Sequence, residues 1–231
     1  MPESDATAAD ARRLRFPAGD GALSALLLAP LDARVLYVFA HGAGAGMEHA
    51  FMAAMAERLA ARRVATFRFQ FPYLEAGRGR PDRTAILTAA VRAAVEAAAL
   101  ALPDVPLMAG GKSMGGRMSA YAQAEAPLPG VRGLAFTGFP LHPPRRPGTQ
   151  RAEPLARVRV PMLFLQGTRD ELASLPLMRE VCQELGERAR LHVVEGADHG
   201  FHVLKRSGRT DEEVLDELAD GVAAFGGEVA G

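Results

Sequence analysis

The amino-acid order predicts one α/β domain: a mostly parallel central sheet with helices on both faces, entered through an N-terminal hairpin. Three observations carry this expectation. Segments rich in Val, Leu and Phe alternate with helix-periodic segments, the rhythm of successive βαβ units. Several of the strand segments are continuous apolar runs, as a strand covered on both faces requires. The length, 231 residues, suits a single domain of this class.

The elements follow in order. Residues 1–12 contain charges with no apolar stretch after them, so they read as a disordered tail and not a secretory signal. The domain is expected over 13–231. "RLRF" and "ALSALLLAP" flank the turn-rich "PAGDG", which predicts a hairpin over 13–29. "RVLYVFA" (34–40) is a buried strand that runs into the glycine-rich "HGAGAG". Residues 48–62 place Phe51, Met52, Met55 and Leu59 on one helical face. "ATFRFQF" (65–71) is a strand. Residues 83–102 are helical, with Ile86, Val91, Val95 and Leu102 near one side and Pro103 beyond the end. "PLMAGG" is a short strand, and 114–125 a helix. Strands are expected at 133–139, 161–167 and 190–196. Helices are expected at 175–185, closed by Gly186, and over "DEEVLDELADGVAAF", whose three leading acids suit a helix N-terminus.

Composition narrows the function. Basic and acidic residues balance at 27 each, so neither nucleic acid nor an anionic membrane is the expected partner. The apolar runs, taken one by one, are too short to span a bilayer. A single cysteine, Cys182, forms no internal disulfide and suits a reducing cytoplasm. In a parallel sheet, ligands bind beyond the carboxyl ends of the strands. The loops of interest are therefore 41–46, the stretch around Ser113, 137–142, 168–170 and 197–199.

Two nucleotide motifs are close but incomplete. "GKS" at 111–113 resembles the end of a P-loop, yet the position five before Gly111 is Pro106. Proline has no N–H to offer a phosphate. "HGAGAG" has Gly42 and Gly44, but Met47 stands where a dinucleotide fingerprint has its third glycine. No cofactor is expected.

Gly111-Lys-Ser113-Met-Gly115 fits a nucleophile elbow instead, because it lies between an expected strand and an expected helix. A serine hydroxyl needs a base to attack a carbonyl carbon, and the base needs an orienting carboxylate. On this kind of sheet the chain order is Ser, acid, His. "TRDE" places Asp170 just past one strand, and "ADHGF" places His199 just past the next. The oxyanion needs two backbone donors. Met114 supplies one, and the "HGAGAG" loop the other, with Ala43 the first choice and Gly44 the second.

"AHGAGAGMEHAFM", "GGKSMGGRM", "GFPLHPP", "FLQGTRDEL" and "EGADHGF" together resemble the small cap-less α/β-hydrolases near the dienelactone-hydrolase group, most of all the KANL/Tex hydrolase-like domain. The resemblance spans roughly residues 13–226. It implies an α/β-hydrolase fold with Ser113, Asp170 and His199 as the triad, and it supplies no substrate. Dienelactone hydrolases themselves use cysteine, so their substrate does not carry over to a serine.

Each residue also has a plainer role. Ser113 can be a helix N-cap, and Asp170 a cap with Glu171 as the neighbouring acid. His202 competes with His199 as the base. Asp198, His199 and His202 lack further ligands nearby, so no metal is expected. His41 fits a loop-fixing hydrogen bonder. Arg68 fits a structural role better than a substrate contact. The arginine-rich 143–159 segment fits a solvated loop. Lys112 either pairs with a carboxylate or snorkels its ammonium outward, and the sequence assigns it no role.

The function expected is that of a serine hydrolase acting on a small-molecule carboxylic ester or thioester. Some 20 residues join "GFP" to the next strand, too few for a lid domain, so the expected site is open and shallow. The alternatives are a non-catalytic interaction domain on the same fold and an acyltransferase.

Overall fold

The computed structural model describes residues 11–231. Strands β1 (Arg12–Ala18) and β2 (Gly21–Leu28) form the N-terminal antiparallel hairpin. Of the tail expected over 1–12, residues 1–10 lie outside the described residues, and Arg12 already pairs with Leu27. The remaining strands are β3 (Val35–Ala40), β4 (Val64–Phe69), β5 (Leu107–Lys112), β6 (Val131–Thr137), β7 (Met162–Gly167) and β8 (Ala189–Val194). They make one eight-stranded sheet in the order β1-β2-β4-β3-β5-β6-β7-β8. β2 meets β4 antiparallel, and every pairing from β4 onward is parallel.

The continuous apolar runs behave as a doubly covered sheet demands. All six residues of β3, of β4 and of β7 are buried. Helices α1 (Ala50–Ala61) and α6 (Asp211–Ala230) cover one face. Between the two helices, Arg62 at the C-cap of α1 bonds Asp220 and Asp216 of α6 at 2.6 and 3.1 Å. Helices α3 (Thr84–Ala101), α4 (Met114–Glu125) and α5 (Leu175–Leu185) cover the other face. α6 opens on a full capping box, in which Thr210 and Glu213 satisfy each other's backbone N–H.

Four details depart from the sequence reading. β4 ends at Phe69, and Pro72 starts a one-turn helix, α2 (Pro72–Glu75), where proline's missing N–H costs nothing. On α3, Ile86 is exposed, and the buried stripe is Leu87, Ala90, Val91, Ala94, Val95 and Ala98. A reading keyed to large residues misses that alanines define this face and let the helix lie close to the sheet. α3 is also long and apolar enough to cross a membrane by length and composition. Arg92 and Glu96 hide this from a search for uninterrupted runs, and seven of its residues are buried in the domain. Finally, the arginine-rich segment forms 3₁₀ turns over Gln150–Arg157. Arg151 donates to His142 O and Arg157 to Ala124 O, which ties the segment to α4 and its surroundings.

Candidate active site

Four loops at the carboxyl ends of β3, β5, β7 and β8 converge. Ser113 joins β5 to α4 with φ +51° and ψ −116°, a conformation that side-chain-bearing residues adopt only under strain. Its side chain makes no capping hydrogen bond, so the N-cap role is not what holds it there. The turn is tight enough to exclude side chains on either side. A methyl group at Gly115 would stand 2.3 Å from Ala40 O, and one at Gly111 2.2 Å from the same oxygen. Leu107 to Lys112 is strand throughout, with a register shift between Leu107 and Ala109, so no loop is left to wrap a phosphate.

The three residues expected to form a triad come together from separate strand ends. His199 Nε2 lies 2.8 Å from Ser113 Oγ, and His199 Nδ1 lies 2.7 Å from Asp170 Oδ2. This network assigns the proton to Nδ1 and leaves Nε2 as acceptor for the serine hydroxyl. The Asp170 side chain is almost wholly buried, at 1% exposed. It is nonetheless well supplied with donors: Leu172 N at 2.8 Å on Oδ1, and the Gln166 amide on Oδ2 beside His199. Gln166, on β7, was not foreseen, because a single polar residue in a buried strand gives no local signal of its partner.

The His199 loop is built by its neighbour. Asp198 Oδ1 accepts from Gly200 N and His202 N at 2.8 and 3.0 Å, and Phe201 takes φ +67° to close the turn. His202 points away from Ser113 and pairs with Asp211 at 2.7 Å, a contact that raises its pKa at an exposed position. It is therefore held as a partner of α6.

The loop after β3 is held by groups the sequence only partly revealed. His41 is fully buried. Its Nε2 accepts from Phe71 N at 3.1 Å, so its Nδ1–H donates to Gly42 O at 2.7 Å. Burial pushes its pKa down to about 4, so it is neutral and fixes the loop. Gly44 N donates to Tyr73 Oη at 3.0 Å, and Met47 N to Gln70 Oε1 at 2.9 Å. With Gly44 committed to Tyr73, the Ala43 N–H is without a hydrogen-bond partner among the described residues. So is the Met114 N–H at the first position of α4. Tyr73 lies on α2, and its role was illegible without that turn. Arg68 donates to Met47 O at 3.2 Å behind this loop and does not line the cavity described next.

A cavity of about 610 Å³ opens beside Ser113 and His199, within the usual range for small-molecule sites. Its walls are mainly apolar: Phe51 and Met52 of α1, Phe201, Leu172 and Leu215 of α6. The first turns of α1 and α6 both contribute to its lining. No cap covers it.

A family model described as "Alpha/beta hydrolase domain" matches residues 33–227. The chain belongs to the α/β hydrolase domain family. Solved structures agree with the fold at low identity. An α/β serine hydrolase without lid from Xanthomonas campestris is 20% identical over 94% of this chain and 95% of its own, with a TM-score of 0.74. A dienelactone hydrolase from Anabaena variabilis is 21% identical over 94% and 98%, with a TM-score of 0.73. The esterase domain of a Rhodothermus marinus protein is 17% identical over 96% and 100%, with a TM-score of 0.73. This α/β-hydrolase chain is accordingly a small, cap-less member of the fold.

Proposed function

We propose that this α/β-hydrolase is a serine hydrolase that cleaves a carboxylic ester or thioester through an acyl-enzyme intermediate. The observation that carries the reading is the continuous Asp170–His199–Ser113 hydrogen-bond chain, at 2.7 and 2.8 Å. Ser113 Oγ attacks the acyl carbon while His199 Nε2 takes its proton. His199 then hands that proton to the leaving alcohol or thiol. Asp170 holds the imidazole in the Nδ1–H form and stabilises the imidazolium as it appears. The unpartnered N–H groups of Ala43 and Met114 receive the oxyanion. Water, deprotonated by His199, attacks the acyl-serine and releases the acid and free serine.

The apolar cavity suits a hydrocarbon acyl or alcohol group next to the reacting carbon. A non-catalytic domain has no need of a strained serine aligned with a histidine and a buried carboxylate, since each costs stability.

Fluorophosphonate labelling tests this reading, together with a panel of p-nitrophenyl esters of increasing acyl length. Wild-type protein is expected to label and turn over, and Ser113→Ala to do neither. Folded wild-type protein that fails to label overturns the enzymatic reading. Labelling that survives in Ser113→Ala overturns the assignment of the nucleophile.

A further inference from the structure

Lys112 immediately precedes the nucleophile, and its charge has no obvious use. Among the described residues it forms no ion pair with a carboxylate, the first of the two roles open to it from sequence. Its stem packs where Gly42 passes, with Lys112 Cγ 3.6 Å from the position a Gly42 methyl would take. Its ammonium then crosses above Gly138 and donates to the backbone carbonyl of His199. Two aromatic faces flank it, Phe201 at 5.0 Å and Phe51 at 5.7 Å, and these rings stack on each other. One side chain therefore touches the β3 loop, the β6 loop, the His199 loop and the cavity wall.

We infer that Lys112 is a positioning residue: its ammonium clamps the His199 carbonyl and the Phe51–Phe201 wall, and so sets where the imidazole stands over Ser113. This inference rests on the proposed hydrolase chemistry. The physical logic is direct. His199 is carried by a loop after an edge strand, and its side chain is 26% exposed; the Asp198 bonds fix the turn around it, which leaves the His199 carbonyl itself free to rotate unless Lys112 holds it. A charge-assisted bond to the main chain of the base removes that freedom, and the cation–π contacts fix the ammonium itself. A shift of about 1 Å at a reacting group costs about 100-fold in rate.

The clamp also has a pH range. Burial lowers the Lys112 pKa to about 8, against the opposing pull of Asp170 and Asp198. The other titratable groups around the cavity are His199 and His202 on the same loop, His49 before α1, and Asp211 and Glu212 at the start of α6. His202 is paired with Asp211 and Glu212 with Arg58. Above about pH 8 the neutral amine keeps an N–H for the carbonyl but loses the charge assistance and its attraction to the two rings.

The test compares wild type, Lys112→Met and Lys112→Arg, reading kcat and KM for p-nitrophenyl acetate from pH 6 to 9.5, fluorophosphonate labelling rate, and Tm. In Lys112→Met, kcat is expected to fall about 10- to 100-fold with KM within about threefold and Tm little changed, because the cost of burying the ammonium is relieved as its contacts are lost. Wild-type kcat is expected to decline through about pH 8, and the decline to vanish in both variants. Lys112→Arg keeps a charged donor and is expected to recover part of the lost kcat. Three results overturn the inference: kcat within twofold of wild type in Lys112→Met, a change confined to KM, or a fall in Tm with kcat intact. Unlabelled wild-type protein instead overturns the hydrolase reading itself. If Lys112→Met does not fold, Lys112→Gln takes its place, with the same expected and overturning results.

Discussion

Replacing Ser113 by alanine and by glycine isolates the strain at the elbow from the chemistry. Both substitutions remove Oγ, so both lose the 2.8 Å bond to His199 Nε2, and that loss cancels in the comparison. Alanine keeps a Cβ at φ +51° and ψ −116°, and glycine does not. Holding a side-chain-bearing residue in such a region costs about 1–3 kcal/mol. Against this, glycine adds about 0.5–1 kcal/mol of unfolded-state freedom. It also forgoes about 0.4 kcal/mol for a half-buried methyl group. Central values leave glycine about 1 kcal/mol the more stable, which at this chain length is about 2–4 °C in Tm. Urea denaturation with equal m-values and calorimetry measure the difference, and fluorophosphonate labelling checks that both variants are inactive. An alanine variant more stable than the glycine variant refutes the claim that strain is stored at residue 113.

Four further outcomes are expected. Asp170→Asn should lower kcat by about 10³–10⁴, since an amide no longer specifies the Nδ1–H form of His199; steady-state ester hydrolysis measures it, and a loss under tenfold would exclude the assigned role. Gly115→Ala should destabilise by about 1–3 kcal/mol and abolish labelling, because its methyl would meet Ala40 O at 2.3 Å; an unchanged Tm would show that α4 can shift freely. Tyr73→Phe should move stability by less than about 1 kcal/mol, as Gly44 is exposed and water can replace the hydroxyl, yet lower kcat by loosening the loop that carries Ala43; unchanged kcat would count against that coupling. Stability should also fall as pH drops. His41 titrates near 4 in the folded chain and near 6.5 when unfolded, so its contribution is complete above 6.5 and is lost as pH falls through 4. The shift corresponds to about 3 kcal/mol, and urea midpoints at pH 7, 5.5 and 4.5 should show a slope that His41→Gln reduces.

Local sequence carried the strands best where it was uniformly apolar. "VLYVFA" reads as a doubly covered strand, and β3 is buried throughout. It carried Ser113 because the elbow needs glycines at fixed offsets, and backbone clashes within a few residues dictate them. It failed where the signal was diffuse. The alanine stripe of α3 lacks large side chains, and the α2 turn is too short to show periodicity. Tyr73 could not be singled out either, since it acts on a residue supplied by a different strand end, and Gln166, four residues before Asp170, is a lone polar residue in a buried strand.

What the sequence alone determined is the alternation of strands and helices, the elbow, and the order Ser113, Asp170, His199. These follow from hydrophobic period, glycine sterics and the position of polar residues after apolar runs, all of which act over a few residues. The tertiary structure alone decided the rest. It committed the Gly44 N–H to Tyr73 and left the Ala43 N–H without a partner among the described residues. It turned His202 toward Asp211 and left His199 facing Ser113. It laid the Lys112 ammonium on the His199 carbonyl, 87 residues away in the chain. Such choices depend on which strand ends lie side by side, and the 2-4-3-5-6-7-8 order of the sheet fixes that for the whole chain at once.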